Sequence, residues 1–206
     1  MSAIAILGGG GHGRVVADCA EACGYEFVDV FDDDAFLTAS GPFAVVGTGA
    51  DLLARHGDYD CVVVAIGDNG ARLERHRALE AAGVRMASLI HPKAAVSSHA
   101  KLGLGTVVFA GAVVNVGAEL GRSTIINTGA TIDHDCRLAD GVHVAPGAHL
   151  SGGVEVGEGT WIGVGAAVRE YVAIGNRVFI GAGAVVVKSI PDGLTVVGNP
   201  ARQLNR

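Results

Sequence analysis

At 206 residues the chain has room for one or two domains with a buried core; half of it is hydrophobic, yet only 5% is aromatic and 32 residues are glycine. The formal net charge of −6 excludes the broad basic footprint that a nucleic-acid-binding surface needs, while leaving room for a local pocket that takes a small phosphate ligand. Cys19, Cys23, Cys61 and Cys136 form no C-x-x-C pair and no metal or disulfide framework, which predicts a reduced, cytoplasmic compartment. The N-terminus lacks the charged region, apolar core and cleavage site of a signal peptide, and no run approaches the roughly 20 apolar residues of a membrane span.

Residues 3–7 read as a short apolar strand, followed by Gly8-Gly9-Gly10-Gly11-His12-Gly13-Arg14 and a helical pattern through Val15, Val16, Cys19 and Ala20 to Gly24. This gives G-x-G-x-x-G at Gly8, Gly10 and Gly13 between a strand and a helix. A second strand over 26–31 ends in Asp32-Asp33-Asp34. Glycines let backbone approach a phosphate, a helix N-terminus attracts its charge, and an acidic residue after the second strand takes a sugar or base hydroxyl. The pattern continues with a strand near 43–46, a helix near 49–55, the apolar strand 61–66, Gly67-Asp68-Asn69, a charged helix from about 70 to 82 and a last strand near 84–90. Alternating strands and helices predict a parallel α/β sheet, with Gly10, Asp32 and Gly67 at the carboxyl ends of its strands, where such sheets bind ligands. Only about 90 residues precede the next segment, roughly half of a full dinucleotide fold, so a mononucleotide-type ligand fits better than NAD. His91-Pro92 marks the junction, because proline biases the residue before it away from helix.

From Val96 to Val186 an aliphatic residue returns at every sixth position for 16 hexads. Four residues after each anchor stands a second, mostly small residue, such as Ala100, Thr106, Ala112 and Cys136. That period predicts a hexapeptide-repeat parallel β-helix in which three hexads close a triangular coil of 18 residues, giving about five coils. Stepping by 18 stacks Val116, His134, Gly152 and Glu170 on one another at an outward position. His134 thus has a glycine on the next coil, leaving room beside the imidazole and exposing a backbone amide, as acyl transfer with an oxyanion hole requires. Asp135 is the adjacent candidate to orient a basic imidazole, with Asp133 second. His143 and His149, at the last positions of consecutive hexads, read as polar corners, and no third ligand accompanies them to define a metal site.

Gly8 to Gly13, Asp32-Asp33, Ala65-Ile66-Gly67-Asp68-Asn69, Leu89-Ile90-His91-Pro92, Ile126-Asn127-Thr128 through His134-Asp135-Cys136, and Val197-Gly198-Asn199-Pro200-Ala201 together resemble the sugar acetyltransferases of the bacillosamine and perosamine type, relatives of the sialic acid O-acetyltransferases. The resemblance implies a Rossmann-like nucleotide-sugar-binding domain over residues 1–90 and a left-handed β-helix acetyltransferase domain over 91–206. It implies transfer of acetyl from acetyl-CoA to the 4-amino group of a nucleotide-linked 4-amino-4,6-dideoxy sugar, without a metal, in a homotrimer with active sites between adjacent β-helices. On the matching positions His134 is the general base and Asp135 raises its basicity, in a place where the family often has Glu. His143, Gly152 and Val164 match acetyl-CoA contacts, Gly152 through its amide. Gly10, Gly11 and His12 match the loop that holds the nucleotide phosphates, Asp32 and Asp33 the acidic pair for base or ribose, and Gly67 a further contact. The family loop often carries Ser or Ala where this one is all glycine around His12. The nearest alternative is O-acetylation of a sialic acid or capsular sugar; a more distant one is a non-enzymatic or metal-binding β-helix.

Overall fold

The structure is a computed structural model that describes residues 2–204. The chain divides into two compact units, one ending at Pro92 and the other starting at Lys93. Among the described residues no helix is long and apolar enough to cross a membrane.

The first unit is built on β1 (Ala3–Leu7), whose Ile4, Ala5 and Ile6 are fully buried. An apolar strand covered on both faces belongs in the middle of a parallel sheet. Strands β2 (Phe27–Phe31) and β5 (Cys61–Val64) flank it in parallel, and β4 (Phe43–Gly47) extends the sheet beyond β2. Helix α1 (Gly11–Ala22) buries Val16, Ala17, Cys19 and Ala20, which share one helical stripe. In α2 (Gly49–Arg55) the Thr48 hydroxyl accepts from the Asp51 N–H at 3.2 Å while the Asp51 carboxylate accepts from the Thr48 N–H at 2.8 Å, a reciprocal cap. Helix α3 (Asn69–Ala81) starts on the Asp68 carboxylate, which accepts from the Ala71 N–H at 2.8 Å. Two features differ from the expected pattern. A two-residue strand, β3 (Ala39–Ser40), pairs antiparallel with β4 at the edge of the sheet, turning back at Gly41 with φ +64°. The continuous strand near 84–90 is absent: Met86 makes one bridge to Val62, and β6 (Leu89–Ile90) is two residues long. Val84 and Met86 join the cluster around Val62, Val64 and Leu79.

The second unit is a left-handed parallel β-helix. Sixteen two-residue strands, β7 (Ala95–Val96) to β22 (Val185–Val186), each end on one aliphatic anchor and stack at a spacing of 18 residues into three parallel sheets. The first face carries Val114, Ile132 and Leu150, the second Leu120, Leu138 and Val156, and the third Ile126, Val144 and Ile162, with all these anchors turned into one continuous core. The small residue four places after each anchor is also inward, as Ala130, Cys136 and Ala148 show with no exposed area. Each strand starts one residue before its anchor, and this corrects one expectation. His143 and His149 lie in strands, His143–Val144 and His149–Leu150, rather than at corners. The corners are the third and fourth hexad positions, occupied by His134 and Asp135 in their own hexad. The last coil is shorter: Ile174 bridges to Ile190 and Ile180 pairs with Val196, a step of 16 residues instead of 18. Strand β23 (Thr195–Val197) then receives the antiparallel β24 (Arg202–Gln203), which ends the parallel stack.

Candidate active site

His134 and Asp135 form the turn between the strands Thr131–Ile132 and Arg137–Leu138, on the edge where the first face meets the second. The His134 Nδ1 and Asp135 Oδ2 are 2.9 Å apart. A carboxylate accepts, so Nδ1 carries a proton, and in the neutral imidazole Nε2 keeps its lone pair. Asp135 has φ +59°, a left-handed conformation that aspartate tolerates better than most residues. Asp133 Oδ1 accepts from the His134 N–H at 2.8 Å and from the Asn115 amide of the preceding coil at 2.9 Å, which fixes the backbone that carries the imidazole. The hydrogen bond to Asp135 raises the His134 pKa above its ordinary value, the charges of Asp133 and Asp135 add to this, and desolvation opposes it.

The imidazole lies directly over Gly152 of the next coil. A Cβ built there would stand 2.5 Å from His134 Cε1 and closer still to Nε2, so no side chain fits while the ring keeps this position. The ladder leaves the Gly152 N–H unused, running from the Ser151 N–H to the Val168 carbonyl and from the Gly153 N–H to the His134 carbonyl. One coil further, the Tyr171 ring covers Gly153, whose Cβ would be 2.5 Å from Tyr171 Cδ1. Cys136 points inward with no exposed area, its Sγ 3.2 Å from the Ser151 carbonyl, and burial raises its thiol pKa.

Other expected contacts lie elsewhere on the prism. His143 is 5% exposed on the third face, with its ring centroid 4.1 Å from that of Trp161. Asn127 Oδ1 accepts from the Thr128 N–H, so its amide nitrogen donates to His143 Nε2 at 3.0 Å and the imidazole is the neutral Nδ1–H form. Val164, at the turn between the third and first faces, is 52% exposed. One chain therefore brings His134 and Gly152 together and leaves His143 and Val164 on other sides. A concavity of 970 Å³ along the second face, past Glu119, Arg137 and Glu155, does not include His134; it is an open trough with a surface Lys101–Glu119 ion pair at its rim. Among the described residues no three His, Cys, Asp or Glu side chains converge to hold a metal.

In the first unit, Gly10, Gly11, His12, Asp32, Asp33 and Gly67 gather at the carboxyl ends of β1, β2 and β5. Gly8 and Gly13 are packing glycines: a Cβ at Gly8 would be 2.6 Å from the Ala65 carbonyl oxygen, and one at Gly13 would overlap the Gly8 carbonyl. Gly10, Gly11 and Gly67 face open space instead. Asp32 holds the loop, accepting from the Gly9 N–H at 2.6 Å and from the Asp34 N–H at 2.8 Å. Asp33 accepts from the Gly49 N–H at 2.8 Å and from Arg75 at 3.0 Å. Arg72, buried and donating to the Ile66 and Gly67 carbonyls and to Asn69, shapes the 66–69 turn. Burial, reinforced by the Arg72 charge, lowers the His12 pKa to about 4, so His12 is neutral at physiological pH. Sequence reasoning missed the supporting residues Asn115, Arg72 and Trp161; the 18-residue step from Asp133 back to Asn115 was the signal that would have found the first.

The stacked coils and their six-residue period define a hexapeptide-repeat protein, and similarity to known proteins narrows this. Residues 3–79 match the family described as PglD N-terminal domain, and residues 153–188 match the bacterial transferase hexapeptide (six repeats). The acetyltransferase domain of PglB from Neisseria gonorrhoeae FA1090, solved with acetyl coenzyme A, is 45% identical over 98% of each chain, with a TM-score of 0.94. PerB from Caulobacter crescentus, solved with CoA and GDP-perosamine, is 39% identical over 100% of this chain and 98% of its own, with a TM-score of 0.93. A UDP-N-acetylbacillosamine N-acetyltransferase from Bacillus subtilis (strain 168) is 39% identical over 113 residues, 53% of this chain and 52% of the relative, so the match spans about half of that protein. The chain belongs to the bacillosamine and perosamine family of N-acetyltransferases.

Proposed function

We propose that the protein transfers acetyl from acetyl-CoA to the 4-amino group of a nucleotide-linked 4-amino-4,6-dideoxy sugar. The observation that carries this reading is His134 Nε2, which bears the lone pair of the neutral imidazole because Nδ1–H donates to Asp135, set over the unused Gly152 amide. The neutral amine attacks the thioester carbonyl carbon, its nitrogen loses a proton to His134 Nε2, and the Gly152 N–H donates to the oxyanion of the tetrahedral intermediate. Collapse breaks the C–S bond, and the imidazolium returns the proton to the leaving sulfur. The amide, free CoA and neutral His134 result. Cys136 is buried with its thiol pKa raised, which supports direct attack without an acyl-enzyme.

The open glycines at the N-terminus of α1, with Asp32 and Asp33 beside them, would hold the nucleotide; Gly10 and Gly11 offer backbone to its phosphates, and neutral His12 and Gly67 further contacts. Relatives solved or named with GDP-perosamine and UDP-N-acetylbacillosamine support a nucleotide sugar as acceptor. His143 and Val164 would contact acetyl-CoA. Since they lie on different sides of the prism from His134, the complete site draws on neighbouring copies, and we assign a homotrimer. Free cysteines fit a reducing cytoplasm. The test is thiol release from acetyl-CoA by His134→Ala that still unfolds at the parent temperature. Turnover falls by about 10²–10⁴-fold if His134 is the base; near-normal turnover overturns the mechanism.

A further inference from the structure

From Gly105 to Gly183, the fourth position of every hexad turn has positive φ. Ten of these turns use glycine; the others use Ser123, Asp135, Tyr171 and Arg177 at φ +50° to +59°. Glycine is the residue that adopts this conformation without strain, so each departure opposes the repeat's own preference. Asp135 is one of the four, and it partners the proposed base. Tyr171 is two coils beyond Asp135 on the same edge, and for a bulky aromatic residue the conformation is a genuine outlier. Burial does not compensate it, because Tyr171 is 76% exposed. Its ring instead lies over Gly153, beside the Gly152 that carries the His134 imidazole, so the glycine pair is bracketed by His134 on one side and Tyr171 on the other.

We propose that Tyr171 is a donor-binding residue whose ring packs against the pantetheine arm of acetyl-CoA when the thioester lies at Gly152. The proposal rests on the reading of His134 and Gly152 as the active site. Coils are spaced by about 4.8 Å, so Tyr171 stands roughly 10 Å along the edge from His134, the reach of an extended arm rather than of the reacting carbonyl. Val164 lies on an intervening stretch of chain, which places both exposed apolar groups, Tyr171 and Val164, on the C-terminal side of the base. The arm is a neutral chain of methylene, gem-dimethyl and amide groups. An aromatic face takes the first two and a phenol hydroxyl pairs with the third.

The test uses the full chain as Tyr171→Gly, Tyr171→Phe and His134→Ala, with thiol-release kinetics, calorimetric titration with CoA, thermal unfolding and light scattering. Tyr171→Gly raises the acetyl-CoA KM and weakens CoA binding by about 3- to 10-fold, the range of one aromatic contact. It leaves kcat and the sugar KM unchanged, the pattern of uniform binding loss. Because glycine relieves the left-handed backbone, its Tm equals or exceeds that of the parent, and Tyr171→Phe keeps most of the affinity. An unchanged acetyl-CoA KM overturns the proposal, and so does a lowered Tm or a smaller assembly, which would make Tyr171 structural. If His134→Ala retains turnover, the active-site reading itself fails; if His134→Ala is inactive and Tyr171→Gly binds CoA normally, only the role of Tyr171 fails.

Discussion

The hydrogen bond from His134 Nδ1 to Asp135 sets where the imidazole proton resides and raises the affinity of Nε2 for a second one. With His134 as the proposed base, the protonated ring is inactive at the acid end, so kcat/KM is expected to rise with pH through an apparent pKa above the ordinary histidine value of 6.5. Asp135→Asn removes the largest cause of the shift. Its profile should move to lower pH, and its plateau should fall because the imidazolium that the proposed attack would form has lost its partner; a pH–rate profile of the two proteins checks both. His134 and Gly152 were legible as a pair, because an 18-residue coil is a ruler that needs no side-chain detail. The placement of His143 was misread for a local reason. The ladder begins with the N–H of the residue before each anchor, as in the bond from the His143 N–H to the Thr160 carbonyl, so counting strands from the anchor moves that histidine from strand to corner. Asp135 and Tyr171 share a backbone conformation that the pattern of glycines foreshadows, yet the exposure of Tyr171 required the structure.

Among the elements, the β1–α1 junction shows how two kinds of glycine divide one loop. Gly8 and Gly13 allow strand and helix to pack in contact, while Gly10 and Gly11 are open on the side a ligand would approach. Gly13→Ala drives a methyl into the Gly8 carbonyl, and we expect a loss of about 1–3 kcal/mol in urea unfolding, the usual range for overpacking. Gly10→Ala meets nothing within 4 Å and serves as the control that keeps parent stability. The strand–loop–helix order was legible here because glycines, apolar runs and acidic caps punctuate it. The edge strand β3 was not, since two residues carry no periodicity. The stretch over 84–90 reads as one strand in the sequence, but its pairing is limited to a bridge at Met86 and a separate two-residue strand.

At the scale of the whole molecule, the repeat does two jobs with one geometry. Its inward anchors and small residues stack into a core that no single coil could bury alone, and its outward corners fall in fixed columns, one of which holds His134, Gly152 and Glu170. Half of the resulting architecture was legible from period alone, since a six-residue recurrence over 16 hexads admits few other folds. The shortened final coil and the antiparallel β24 were not, because they depend on how the last sheet meets solvent rather than on the repeat. The proposed chemistry likewise needs more than the solenoid, since the loop proposed to hold the nucleotide and the corner proposed for acetyl transfer belong to separate units. The proposed activity is tested most sharply by thiol release from acetyl-CoA with a panel of UDP-, GDP- and dTDP-linked 4-amino-4,6-dideoxy sugars, with free sialic acid included. Release is expected with one of the nucleotide-linked amino sugars and none with sialic acid; release with sialic acid alone would contradict the proposed activity.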